Sequence, residues 1–226
     1  LYKYLNMYSF CIDNKFNIVC IPKMGCTQII KYMSEYLGIF DLHKHSYTEN
    51  TCAKHGNIHN CGHRLYSYNS NLPTYLVTRP IELRVLSYFK SNYYHHKKIN
   101  ANPTFENFVD NLHLYYKFDP HHLGMISDKI KSKRIRINHL LDLNGIESSL
   151  TNLFIKYGIS YEFKKKTIIN STTKIDTENI EKMYKKKRSE LTFPIDSKLF
   201  FNEEIKSKIK QFYKKDLKYY TDIIQI

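Results

Sequence analysis

Two short apolar runs, each followed at once by a turn and an amphipathic stretch, constrain this chain most. The first is FNIVCI, Phe16 to Ile21, then PKMG, then a segment in which Ile29, Ile30, Met33 and Leu37 recur at helical spacing, with Gly38 placed to end it. The second is YLVT, Tyr75 to Thr78, followed by Arg79 and Pro80 and then by Val85, Leu86 and Phe89 on one face. Short β-branched runs without polar alternation read as strands buried on both faces, and apolar residues three and four apart as helices packed against them. Strand, turn, helix, repeated, predicts an α/β fold with a central parallel sheet flanked by helices, similar to P-loop kinases in topology. In such sheets ligands gather at the carboxyl ends of strands, where Lys23 and Arg79 stand.

The rest of the chain extends the pattern. TFENFVDNL, Thr104 to Leu112, predicts a helix N-capped by Thr104. Ile135 to Leu143 contains a strand ending near Asn144-Gly145, and a helix through Leu150, Leu153 and Phe154 stops near Gly158. Thr167 to Asn170 reads as a short strand and Ser171 to Lys174 as a loop. Asn202 to Tyr220 reads as one helix, with Ile205, Ile209, Phe212, Tyr213, Leu217 and Tyr220 on a face and Glu203 and Glu204 at its positive end. Residues 41–71, rich in His, Asn, Ser and Gly, lack periodicity; a loop of that length inside a compact domain is usually functional. No repeat and no linker interrupts the chain, so residues 1–226 read as one domain.

Composition narrows the partners. With 42% hydrophobic and 15% aromatic residues the chain is globular, not disordered. A formal charge of +14 attracts polyanions: nucleic acid, acidic glycan, nucleotide or anionic membrane surface. KIKSKRIR (Lys129 to Arg136), KKK (Lys164 to Lys166) and YKKKR (Tyr184 to Arg188) carry part of it; such runs are usually solvated faces. No apolar run is long enough to span a membrane. The chain starts at Leu, which leaves room for a trimmed anchor or targeting segment.

Of five cysteines, Cys20 and Cys26 flank the first turn and read as small packing residues. CAKHGNIHNCGH gathers Cys52, His55, His59, Cys61 and His63. Any four could hold zinc, although the spacing fits no established metal signature; a Cys52–Cys61 disulfide is the other reading, and both stay open.

The first turn has one glycine, one lysine and a hydroxyl, yet is not G-x-x-x-x-G-K-[ST]. Backbone N–H groups of Gly25, Cys26, Thr27 and Gln28 at a helix start suit an anion, with Thr27 adding a hydroxyl and Lys23 a charge. Arg79 offers a bidentate fork for a second phosphate, and Ser87, about two turns into its helix, a hydroxyl for the same group. Two such elements point to a nucleotide phosphorylated at two places. The plainer readings are an ordinary turn with a surface lysine, a salt-bridged Arg79 and a packing serine.

IPKMGCTQIIKYM resembles the 5′-phosphosulfate loop of Golgi-type carbohydrate sulfotransferases, of the uronyl 2-O- and chondroitin sulfotransferase kind. LVTRPIELRVLSYF resembles their 3′-phosphate motif, R-D-P-x-x-R-x-x-S-x-[YF], with Pro80 where the family usually has Asp and Ile81 where it usually has Pro. Weaker likenesses follow in order: TFENFVDNL to S-F-x-x-F-V; DPHHLGM to N-x-H-W-x-P, with His122 for Trp; IRINHLLDLNGIESSLTNL to Y-D-x-I-G-x-x-E-x-L; and FNEEIKSKIKQFYKKDLKYY to the closing helix. Together they span most of the chain.

The resemblance implies an enzyme that moves a sulfuryl group from 3′-phosphoadenosine-5′-phosphosulfate to an acceptor hydroxyl, on a carbohydrate such as an anionic glycan, leaving 3′-phosphoadenosine-5′-phosphate. By carry-over Lys23, Gly25, Cys26, Thr27 and Gln28 hold the 5′-phosphosulfate, Arg79 and Ser87 the 3′-phosphate, and Ser171 to Lys174 approach the nucleotide. Lys23 neutralises the leaving phosphate. CGHRLYSY resembles the stretch that carries the family's base, which makes His63 the base and His59 the second choice; an imidazole titrating near neutrality suits that role. No metal is required in that chemistry, and the compartment implied is the Golgi lumen. Asn170-Ser171-Thr172 is a glycosylation sequon at odds with a nucleotide placed beside it there. Two rivals remain. A nucleotide or small-molecule kinase needs Mg²⁺ and a carboxylate near the loop, and no aspartate closing a strand stands out. A non-catalytic nucleic-acid-binding protein would use the basic charge with the 20 tyrosines, but explains neither phosphate loop.

Overall fold

The computed structural model describes residues 7–37, 68–95, 103–164, 183–187, 191 and 196–225. In chain order its elements are β1 (Tyr8–Ile12), β2 (Phe16–Cys20), α1 (Cys26–Tyr36), β3 (Thr74–Thr78), α2 (Ile81–His95), α3 (Phe105–Asp110), α4 (Leu112–Phe118), α5 (Pro120–Leu123), α6 (Ile126–Ser132), β4 (His139–Asp142), α7 (Ile146–Lys156), α8 (Glu203–Phe212) and α9 (Lys214–Ile224). The fold is α/β. Its sheet has four strands in the order β1-β2-β3-β4. β2, β3 and β4 run parallel, with Ile18 opposite Tyr75 and Leu76 opposite Leu140.

β1 is an antiparallel edge strand on an otherwise parallel sheet. It pairs antiparallel with β2, Phe10 opposite Ile18. Asp13 and Asn14 join the two strands with φ of 47° and 53°. That left-handed pair suits the tight hairpin turns that match strand twist, and Asp and Asn tolerate it better than other side-chain-bearing residues. The Asp-Asn step before Lys15 was the available signal.

The chain divides into two compact units. The first takes in the described parts of Leu1–Arg79, Ile130–Lys164 and Tyr220–Ile226; the second, those of Pro80–Lys129 and Lys165–Tyr219. The first holds the sheet. Ile18, Val19, Leu76 and Val77 are fully buried, as expected of strands covered on both faces. Phe154 of α7 meets Phe16 of β2 edge-on at 5.5 Å and Tyr36 of α1 at 4.8 Å. α7 stops as expected at Gly158, whose φ is 69°.

One polar residue is sealed in this sheet. Asn17 is 0% exposed in the middle of an otherwise apolar strand. Its Nδ2 donates to Asn69 O at 2.8 Å and to Thr74 Oγ1 at 3.1 Å, and its Oδ1 accepts from Asn69 N at 3.0 Å. Asn17 thereby holds the approach to β3 at the register that β2 requires.

The second unit is helical. Thr104 caps α3 as expected, accepting from Asn107 N at 3.1 Å, but the helix breaks at Asn111 before α4. Asn202 caps α8 by accepting from Ile205 N at 2.7 Å. The single helix expected over 202–220 is two, α8 and α9, parted at Tyr213. The turn tightens there, Asp216 N reaching Tyr213 O at 2.9 Å. The break serves two buried groups. Tyr213 donates its hydroxyl to Leu123 O at 2.7 Å, and Asp216 accepts from Ile126 N, Ser127 N and Ser127 Oγ at 2.8–2.9 Å, capping α6. Arg84 of α2, fully buried, donates to His122 O and Gly124 O at 2.8 Å each.

Two stability predictions follow from this unit. Asp216→Ala strands the α6 amides in a buried site and should cost about 2–4 kcal/mol in urea unfolding at unchanged m-value. Asp119 is the second case. Burial would raise its pKa, but the ring of His122, 2.8 Å away, overrides this and holds it near 2 against an ordinary 3.8. A depressed carboxyl stabilises fully above its unfolded value and ceases to do so as pH falls through its folded one. Wild type should therefore lose ~2 kcal/mol between about pH 4 and pH 2 that Asp119→Asn does not, read as the pH dependence of the unfolding midpoint.

Candidate functional site

The parallel register brings three chain segments to one edge of the sheet: the turn 21–25 after β2, Arg79 after β3, and Leu143 after β4. Leu143 N donates to Thr78 O at 2.7 Å, tying the last of these to the second. All three belong to the first unit.

The turn is conformationally unusual. Lys23 has φ 67° and Gly25 φ 90°, both left-handed, while Met24 between them is fully buried. Left-handed residues alternating with ordinary ones turn successive N–H groups to one side and form anion-binding concavities. Gly25 is required twice over: for its φ, and because a Cβ there would lie 2.4 Å from Leu143 Cδ1. Lys23 has no glycine's latitude. A left-handed lysine is held in place by its surroundings, and such residues concentrate at ligand clamps.

Gly25 is also the residue before the first turn of α1 and offers no side-chain cap; that turn carries no acidic residue. Gln28 N and Ile29 N both bond to Gly25 O, at 2.9 and 3.0 Å. The amides of Gly25, Cys26 and Thr27 have no acceptor among the described residues. The positive end of the helix is therefore uncompensated.

Gln28, expected in the cradle, is otherwise engaged. Its amide closes the helix, and its Nε2 donates to Glu147 Oε1 at 3.2 Å, where the Tyr32 hydroxyl also donates. It brackets α1 to α7. Thr27 is exposed and Lys23 half-buried. The Cys26 thiol donates to Ile21 O at 2.9 Å, and Cys20 Sγ lies 3.1 Å from Cys26 Sγ.

Arg79 decides the character of the site. Its Nη1 reaches Lys23 O at 3.5 Å, while its Nε is buried with no hydrogen-bond partner among the described residues. Burial lowers its pKa from the usual value. Among the described residues no carboxylate pairs with Arg79, as the salt bridge of the plainer reading would require. A desolvated guanidinium without a counter-charge is costly to fold around.

The structure thus brings together Lys23, Gly25, Cys26, Thr27, Gln28 and Arg79. Ser87 is carried by α2 of the second unit, half-buried. His63 and His59, Cys52, His55 and Cys61, the sequon at Asn170 and the loop Ser171 to Lys174 lie outside the described residues. Among the described residues no three His, Cys, Asp or Glu group to hold a metal, and no helix is long and apolar enough to cross a membrane. One expectation is corrected: an aspartate does close a strand, Asp142 at the end of β4, its carboxylate accepting from Asn144 N at 3.0 Å. Leu143 and Glu147, which shape the loop and its helix, had no sequence signal beyond their apolar and acidic character. No family model, no curated protein and no solved structure matches this chain.

The Gly25–Leu143 contact is testable by a double-mutant cycle. Gly25→Ala should destabilise by about 2 kcal/mol or more. In a Leu143→Ala background the same change should cost less, because only the backbone strain remains. Equal costs in both backgrounds, measured by urea unfolding, would remove the contact from the account.

Proposed function

We propose that this chain is a sulfotransferase using 3′-phosphoadenosine-5′-phosphosulfate, with a hydroxyl acceptor of carbohydrate type. The observation that carries the reading is Arg79: a half-buried guanidinium whose buried Nε has no partner among the described residues, set against a turn whose amides at Gly25, Cys26 and Thr27 have no acceptor among them either. Groups in that arrangement suit an anion with several oxygens. The four-stranded sheet, with three parallel strands and the turn at a strand end, supports a P-loop-kinase-like topology. The likeness of IPKMGCT and of TRPIELRVLS to the two phosphate motifs supports the particular nucleotide.

On this reading the donor supplies an activated sulfuryl group. Amides of the α1 N-terminus and the Thr27 hydroxyl hold the 5′ end and orient it. Lys23, on a backbone it adopts only under constraint, sets a positive charge where the leaving phosphate gains negative charge. Arg79 and Ser87 hold the 3′-phosphate, and His63 takes the acceptor's proton. The acceptor is a sugar hydroxyl on a glycan, for which the basic stretches favour an anionic chain. Neither nucleic acid nor a metal is needed, and the compartment that fits is the Golgi lumen. The second reading is a kinase, favoured by Asp142 at the end of β4, where a magnesium-holding carboxylate would stand.

Calorimetric titration separates these readings. The bisphosphate 3′-phosphoadenosine-5′-phosphate should bind without metal. Arg79→Ala should weaken it by about 2–5 kcal/mol, and Arg79→Lys should not restore it, since an ammonium lacks the planar fork. Preference for ATP with Mg²⁺ would move the assignment to the kinase. Binding of neither nucleotide would overturn both.

A further inference from the structure

Nothing in the proposed chemistry uses the sulfur of Cys20 or Cys26, yet these two residues bound the turn. Cys20 is the last residue of β2 and Cys26 the first of α1. Their sulfurs are 3.1 Å apart, and both are free thiols. Cys20 is 0% exposed, whereas Cys26 is partly open to solvent. Cys11, the other cysteine described, is turned to the Asp13-Asn14 hairpin, its sulfur 3.7 Å from Asn14 Oδ1.

We propose that Cys20 and Cys26 are a thiol–disulfide modification site that switches the anion loop. The thiol pair is the binding form, and the disulfide a closed ring that disables the cradle. The chemical step rests on the pair alone; its effect on ligand rests on the anion-binding reading given above. The oxidant class is a low-molecular-weight disulfide, RS–SR. The accessible Cys26 loses its proton and attacks RS–SR, forming a mixed disulfide and expelling RS⁻, which takes a proton. Cys20 Sγ, already in contact, then attacks the Cys26 sulfur, releasing the second RS⁻, which takes the Cys20 proton. Two protein thiols are oxidised and one RS–SR is reduced to two RSH, so atoms and electrons balance. The order is set by access. Burial and the Cys26 contact push the Cys20 thiol up, so Cys20 resolves and does not initiate.

The consequence follows from distance. A disulfide bond is about 2.05 Å long, so the sulfurs must close by roughly 1 Å. Cys26 also gives up its bond to Ile21 O, now 2.9 Å. Because Cys26 heads α1, the pull falls on the amides of Cys26 and Thr27. A shift of about 1 Å takes an amide outside the 2.7–3.2 Å range of a normal hydrogen bond. The same sulfur proximity runs the other way: an anion seated on those amides should hold Cys26 in place and slow its oxidation.

The test uses the full chain treated with oxidised glutathione, mapped without reduction by peptide mass spectrometry. A Cys20–Cys26 link, with loss of two hydrogens (~2 Da), is expected, and Cys20→Ala should leave Cys26 as a glutathione adduct that does not resolve. Oxidised wild type should bind 3′-phosphoadenosine-5′-phosphate at least about tenfold more weakly than the reduced form, and dithiothreitol should restore it. Trypsin cleavage after Lys23 should slow on oxidation, a readout that needs no ligand. No link, or Cys26 linked to another cysteine, would overturn the site even if the reduced protein binds the bisphosphate. A link that changes neither affinity nor cleavage would overturn the switch. If the reduced protein binds no bisphosphate while the link forms and slows cleavage, the redox site stands and the nucleotide reading falls.

Discussion

The parallel registration of β2, β3 and β4 is the constraint on which the first unit depends. Parallel strands share a direction, so their carboxyl ends meet at one edge, and each must leave that edge through a turn. Here those turns carry Lys23 and Gly25, Arg79, and Leu143. Registration is held by more than the ladder. Asn17, fully buried, bonds to residues 69 and 74 on the way into β3. A polar side chain in a sealed strand has few ways to satisfy its groups, and this one does so only at one register. Slippage by a residue would leave its amide unpaired and put Arg79 elsewhere relative to the loop.

The loop itself is shaped by steric fit. Gly25 lies against Leu143, whose own backbone is pinned to Thr78. The turn after β4 thus limits what the turn after β2 can do. Lys23, two residues before Gly25, is left-handed without being glycine. Packing over-determines the backbone, and the backbone in turn leaves three amides without an acceptor among the described residues.

Much of this was legible in the residues, for identifiable reasons. FNIVC and YLVT are mostly apolar and lack the polar alternation of a half-exposed strand, and buried parallel strands leave that trace. Thr104, Asn202 and Gly158 acted at helix ends as their side chains or lack of one dictate. The edge strand YSFCI was missed because a five-residue strand beside another apolar run has weak periodicity of its own; the Asp13-Asn14 step was the usable clue. The break at Tyr213 was illegible because the helical pattern continues across it, and only the remote partners Leu123, Ile126 and Ser127 require it. At the site, the loop and Arg79 were legible as residue types at strand ends. Gln28 was assigned by position in a motif, whereas its side chain belongs to Glu147. Leu143 could not be found in advance, since contact with a glycine leaves no mark on the leucine.

A guanidinium with no carboxylate partner among the described residues, beside an uncapped helix end, also makes the folded state a function of the solution around it. On the reading proposed above, each anion that occupies Arg79 binds the native chain and not the unfolded one, and so draws the population toward the fold in proportion to its activity. Phosphate, sulfate and nucleotide bisphosphates then belong among the determinants of this protein's stability alongside its own side chains. Two preparations that differ only in buffer salt would be thermodynamically different materials.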